Sequence, residues 1–278
     1  TIDMSLDEVI KILSVNQVVD GILLMGTTGT NALNPTSDFD MLLVFSDAEA
    51  DAIPRHVTTS IDSRLSEIYC TTIGIVEQIV AQREPWSDLS EQGVVLSWLR
   101  DGRVAHDRDG RLREAQQRAR QAPVPVLPGR DASYEAWRKI GYNIAQMKRY
   151  LGADDPVSEL AIDLRLLYSL DEVKAHYFTM RQLPWRGEKP AIRYWLEHDP
   201  AFLECLRCCL SETDRVQKVS AYERLARSAL APVGGLWEQG STVVALGAPF
   251  GATETTVASD HLPVVMDFEV HSAADATA

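Results

Sequence analysis

Apolar positions along the chain alternate between two periods. Near the start they recur at helical spacing (Val9, Ile10, Ile12, Leu13, Val18), and Ser5 with Glu8 has the separation of a capping box, so a helix is expected from Ser5. Residues 21–25 form a short, nearly unbroken apolar run, which reads as a buried strand. A segment rich in Gly, Thr and Asn follows and reads as a loop over 26–37. A second strand is expected over 38–45 and a third over 65–71. Residues 46–54 read as a turn leading into a short helix. Helices are expected over 73–83, 91–100 and 109–120, with a turn and a short strand over 101–107 between the last two.

Three prolines within 123–128 cannot continue a helix, and they mark a linker over 122–129. Beyond it the pattern is helical almost to Gly234. The candidates are 133–151, 157–180, 189–198 and 213–230, with an apolar helix-like run over 202–210. In the longest of these, Leu160, Leu164, Leu167 and Leu170 are expected to form the apolar side. A strand-like run over 261–270 stands alone near the end. The expected fold class is therefore α+β. A domain with a small mixed sheet over 1–121 is followed by a helical bundle over 132–235 and by a tail of uncertain structure over 236–278.

Charge narrows the partners. Of 278 residues, 27 are Lys or Arg and 40 are Asp or Glu, a formal net charge of −13. An acidic surface repels phosphate backbones, so nucleic acid is disfavoured, and cationic or neutral small molecules and metal ions are favoured. No apolar run reaches the roughly 18–20 residues that a membrane span needs. Residues 1–10 lack a secretory signal pattern, and a cytoplasmic location is expected. Cys70 stands apart from Cys205, Cys208 and Cys209, and no matching pair of Cys or His completes a zinc pattern. Reduced core thiols are expected.

The informative chemistry lies between Gly26 and Asp40. A strand runs into a turn with Gly26 and Gly29, where Thr27, Thr28 and Thr30 supply hydroxyls and backbone N–H groups can surround an anion. Asp38 and Asp40 then emerge at i and i+2 on the next strand, so both carboxylates share one face. Two carboxylates beside a phosphate cradle are suited to Mg²⁺ bridging the protein and a nucleoside triphosphate.

This segment resembles the signature of the DNA polymerase β-like nucleotidyltransferase superfamily, nearest to the antibiotic (aminoglycoside and lincosamide) nucleotidyltransferases and the minimal nucleotidyltransferases. Gly26 takes the first glycine, Thr27 the usual Ser, and Ser37, Asp38 and Asp40 the terminal Ser-Asp-x-Asp; Asn31 stands where a second glycine is usual. The resemblance covers about the first 120 residues. It implies a third carboxylate on a later strand, for which Glu67 is the best match and Asp62 the alternative. Asp38, Asp40 and Glu67 would then hold Mg²⁺, two ions in all, and do the catalysis, with Glu67 either a metal ligand or the acceptor of a proton.

The resemblance further implies transfer of a nucleoside monophosphate, AMP from ATP or another nucleotide, to a hydroxyl of a small molecule, an aminoglycoside- or lincosamide-like antibiotic being the first candidate. Gly26, Thr27, Thr28, Thr30 and Ser37 would bind nucleotide, with Lys139 and Lys174 reaching phosphates. Glu159 and Asp163, at i and i+4 on one helix, would bind the acceptor. A monomer or homodimer is compatible with this reading. The alternatives are a minimal nucleotidyltransferase that adenylylates a protein or RNA, as in toxin–antitoxin pairs, or a degenerate nucleotide-binding module. The segment 259–268 has the look of the last motif of a metal-dependent hydrolase family, but the remaining motifs of that family are missing.

Overall fold

A computed structural model describes residues 4–30, 33–49 and 53–236. The fold is α+β, and the chain forms two compact units, residues 1–127 and 128–278.

The first unit is built on five strands, β1 (Val19–Leu24), β2 (Phe39–Phe45), β3 (His56–Ile61), β4 (Arg64–Thr72) and β5 (Arg103–Asp107). Their order is β3-β4-β2-β1-β5, with β2 and β4 parallel and every other pair antiparallel. Helix α1 (Leu6–Val15) lies on one face, over a core of Ile22, Leu24, Phe39, Met41, Leu43 and Ile68. The capping box is present, with the Glu8 carboxylate accepting from the Ser5 backbone N–H at 2.8 Å. Between β1 and β2 the chain makes one helical turn, α2 (Gly26–Gly29). Helices α3 (Ile73–Ala81), α4 (Glu91–Asp101) and α5 (Arg111–Gln121) cover the other face, over Leu23, Leu42, Val44 and their own apolar residues. Central strands buried on both faces lose the polar–apolar alternation, which is why β1 and most of β2 read as continuous apolar runs. At Gly21, a Cβ would meet the Leu112 side chain at 2.5 Å, so the glycine lets α5 rest directly on β1.

The second unit is helical. It contains α6 (Arg130–Leu151), α7 (Pro156–Met180), α8 (Glu188–His198), α9 (Pro200–Ser211) and α10 (Arg215–Leu230). Their core joins Ile140, Ile144, Leu166, Val173, Tyr177, Trp195, Phe202, Tyr222 and Leu225. All four cysteines are free thiols; Cys209 on α9 is buried in this core, and burial pushes its thiol up to about 12.

Three sequence expectations change. The first helix stops at Val15, and Val18 directly precedes β1. Strand β3 had no counterpart in the pattern: it forms a hairpin with β4 through Asp62 and Ser63, both with positive φ (51° and 56°). That backbone is the one a two-residue hairpin turn demands, usually signalled by Asn-Gly or Asp-Gly, a signal absent here. Third, α7 packs inward with Ile162, Leu166, Leu170, Val173 and Tyr177, leaving Leu160, Leu164 and Leu167 exposed. The segment expected as a strand over 261–270, and the one over 259–268, lie outside the described residues.

Candidate active site

The site is built where β1 hands over to β2. The Met25 backbone N–H donates to the Asp40 carbonyl at 2.9 Å, holding the end of β1 against the start of β2. Gly26 then takes φ +51°, a left-handed backbone that glycine adopts without a Cβ penalty, and turns the chain into α2. A Cβ on Gly26 would lie 2.8 Å from Asp40 Oδ2. The backbone of the turn therefore runs directly against that carboxylate. The first N–H groups of such a turn have no partner within it and point out of its beginning.

Thr28 is buried, and its hydroxyl is committed inward: it accepts from the Asp40 backbone N–H at 3.1 Å and donates to the Asp38 carbonyl at 3.3 Å. Thr28 thereby holds the Asp38–Asp40 segment through its side chain. Ser37 is also buried, and its Oγ accepts from the Asn34 N–H at 3.1 Å, closing the loop before β2. Thr27 is half-buried; Thr30 is exposed and donates to the Thr27 carbonyl at 3.4 Å. Asn31 lies outside the described residues.

Asp40 and Glu67 are register partners across the parallel β2/β4 pair. Strand alternation puts both on the face that carries Leu42, Val44 and Tyr69, the face covered by α3, α4 and α5. Asp38, two residues ahead of Asp40, continues the same alternation. All three carboxylates are half-buried. Among the described residues no three of His, Cys, Asp and Glu converge as a ready metal cage, so Asp38, Asp40 and Glu67 do not close on one point by themselves. Asp62, the alternative to Glu67, sits exposed in the β3–β4 turn.

Two residues at the site had gone unnoticed in the sequence. Arg64, at the start of β4, donates from Nη1 to the carbonyls of Asn34 (2.6 Å) and Ser37 (3.1 Å) and lies over the Phe39 ring at 5.6 Å. It ties the loop before Asp38 to the strand that carries Glu67. Tyr69, two residues beyond Glu67, stacks on His56 and packs against Trp98, each with ring centroids 4.6 Å apart. Burial raises the Tyr69 phenol above its ordinary range, and the charges of Glu67 and Asp40 add to that.

The other predicted residues lie in the helical unit, and each has an ionic partner there. Lys139 on α6 is 3.8 Å from Glu172, and Lys174 on α7 is 3.1 Å from Asp171. Glu159 and Asp163 do share one face of α7, but Arg215 occupies it, 2.8 Å from Glu159 Oε2 and 2.9 Å from Asp163 Oδ2. Both carboxylates, expected to bind the acceptor, are thus paired with Arg215.

No family model matches the chain, and a search of curated proteins finds no match. Among solved structures, the chain is similar to a nucleotidyltransferase-like protein from Exiguobacterium sibiricum, with a TM-score of 0.39 and 10% identity over 82% of this chain and 74% of that one. Likeness at that level assigns neither a family nor an activity.

Proposed function

We propose that the chain is a nucleotidyltransferase that moves a nucleoside monophosphate, AMP from ATP, onto a hydroxyl of a small molecule. The observation that supports this reading best is the Asp40–Glu67 register pair with the Gly26 turn laid against the Asp40 carboxylate. Mg²⁺ fits these residues. It is commonly held by one or two carboxylates together with substrate phosphates and water, so a pair beside an open glycine turn suffices where a closed protein cage is absent. Asp38 and Asp40, with Glu67 as the third carboxylate, would hold it, and it would supply neutralisation of the triphosphate charge.

The chain's own residues then have distinct tasks. Gly26, lacking a Cβ, leaves room for phosphate oxygens beside Asp40, and Thr27 offers a hydroxyl at the same turn. Thr28 and Arg64 keep the carboxylates in place. The acceptor oxygen attacks the α-phosphorus in line, the bond to the bridging oxygen breaks, pyrophosphate leaves, and the hydroxyl proton passes to Glu67 or to water. With Glu159 and Asp163 bound to Arg215, the preference for a polycationic antibiotic rests on the net charge of −13 alone. Among the described residues no helix is long and apolar enough to cross a membrane.

The test is direct. Protein, α-labelled ATP and Mg²⁺ are incubated with a panel of aminoglycosides, lincosamides, tRNA and cell lysate. Label on a small molecule, lost in Asp38→Ala plus Asp40→Ala protein, is the expected result. Label on tRNA or protein would favour the minimal-nucleotidyltransferase reading. No labelled acceptor, with unchanged ATP binding in the double variant, would overturn enzymatic transfer at these residues.

A further inference from the structure

An in-line displacement sets the attacking and leaving oxygens on opposite sides of the phosphorus. The Gly26 turn follows β1, which lies on one side of β2, and its backbone runs against the Asp40 carboxylate. A triphosphate held at that turn reaches Asp40 from the β1 side. The attacking hydroxyl then arrives from the other side, across Glu67 on β4 and toward the edge strand β3. Thr58 on β3 is the register partner of Glu67, so Asp40, Glu67 and Thr58 form one row across three strands.

This end of the sheet is open. His56, Thr58 and Ser60 alternate onto the carboxylate face of β3, and all three are exposed. Among the described residues no hydrogen bond engages their side chains. Leu65, opposite Ser60, is 55% exposed. Two residues beyond Glu67 the surface closes, where Trp98 of α4 packs on Tyr69 and Tyr69 stacks on His56 at an interplanar angle of 28°. The result is a shelf with an aromatic wall at one end, an apolar residue at the other and the Glu67 carboxylate along its inner margin.

We infer that this shelf receives the acceptor, and that the acceptor is an uncharged hydroxylated ring of the sugar or cyclitol kind. The inference rests on the nucleotide-transfer reading and names a substrate class for it. Strand β3 contributes two hydroxyls and an imidazole to the shelf, and no carboxylate; Asp62 stands past the end of the strand, in the hairpin turn. Hydroxyls and imidazole both donate and accept, which is what a ring of hydroxyls requires. An ammonium group taken out of water needs an opposing charge. The carboxylates of Glu159 and Asp163 on α7 are already bound to Arg215, and Glu67 is committed to the metal and the reacting hydroxyl. Leu65 and the aromatic wall take the C–H faces of a ring, while the few polar groups fix its orientation. Thr58 and His56 are then the residues that select the acceptor.

The full chain is incubated with Mg²⁺, α-labelled ATP and two pairs of probes that differ only by an amine: methyl α-D-glucopyranoside with its 2-amino-2-deoxy counterpart, and an inositol with an aminodeoxyinositol. Label is expected on the uncharged member of each pair, with kcat/KM about tenfold or more above that of the amine. Thr58→Val combined with His56→Ala raises the acceptor KM about tenfold more than it lowers kcat. Titration calorimetry of the same variant with ATP and Mg²⁺ gives the wild-type affinity, and its far-UV circular dichroism is unchanged, because both side chains are exposed. Thr59→Val, on the opposite face of the same strand, leaves the acceptor KM in place. Label preferring the amines, label confined to aminoglycosides, tRNA or protein, or an acceptor KM unmoved in the double variant overturns this inference and leaves nucleotide transfer standing. No label on any acceptor overturns nucleotide transfer and this inference with it.

Discussion

Thr28→Val tests the core of the site without touching a carboxylate. Valine keeps the volume and loses the hydroxyl, which accepts from Asp40 N and donates to Asp38 O at 3.1 and 3.3 Å. Thr28 is 2% exposed, so water cannot take the vacated position. An abandoned buried donor costs about 1–3 kcal/mol and a lost net hydrogen bond about 1, giving about 2–4 kcal/mol together. For a unit of this size that lowers the melting temperature by about 6–16 °C. Asp38 and Asp40 lose the strut that sets their backbone, and a displacement near 1 Å costs about a hundredfold in rate where geometry governs catalysis. Thr28→Ser, which keeps the hydroxyl, retains most of both properties. Thr27→Val, by contrast, leaves the melting temperature in place and weakens nucleotide binding. Differential scanning fluorimetry and the α-labelled ATP assay read the two effects separately. A Thr28→Val protein that melts within about 1 °C of wild type and transfers label at the wild-type rate would refute the strut.

Glu67→Gln removes one of two like charges held in register, and like charges placed opposite each other on a sheet cost about 0.2–1 kcal/mol. The variant is expected to melt higher than wild type while transferring label about 10²–10³-fold more slowly, and a lower melting temperature would contradict the proposed crowding of Asp40 and Glu67. Gly26→Ala forces a left-handed backbone on alanine, at about 1–2 kcal/mol, and drives a Cβ to within 2.8 Å of Asp40 Oδ2; isothermal titration with ATP and Mg²⁺ should show weaker binding, and unchanged affinity would count against a nucleotide at this turn. His176 on α7 is held below its ordinary value of 6.5, first by burial, with Glu172 pulling upward and Lys139 downward. The unfolded chain therefore takes up this proton first, so its contribution to stability is complete above about 6.5 and is lost as pH falls through that value toward the lower folded-state one. The melting temperature measured from pH 7.5 to 5.5 should fall less steeply in His176→Gln than in wild type, and parallel curves would exclude His176 as a source of the slope.

The parts of the molecule legible in the sequence are those whose cause is local. Ser5 and Glu8 cap a helix because three residues separate them, and Asp38 and Asp40 share a strand face because two do. A third carboxylate was implied by the resemblance alone, and the strand around Glu67 made it the better match; its partner in register is Asp40. Arg64 and Thr28 were opaque for the opposite reason. Their work is done by hydrogen bonds to backbone atoms 10 to 30 positions away, and a backbone carbonyl leaves no trace in residue identity. Arg215 likewise meets Asp163 across 52 residues, so a carboxylate pair that looks open on a helical wheel is already neutralised. Helix α7 failed in a more instructive way. Periodicity locates an apolar stripe by contrast with a polar one, and α7 has apolar residues on two sides. The pattern could name Leu160, Leu164 and Leu167 as apolar, but it held no information on which side faces Ile140 and Tyr222. Which of two apolar stripes becomes the core is settled by the neighbouring helices α6 and α10, whose positions no periodicity within α7 encodes.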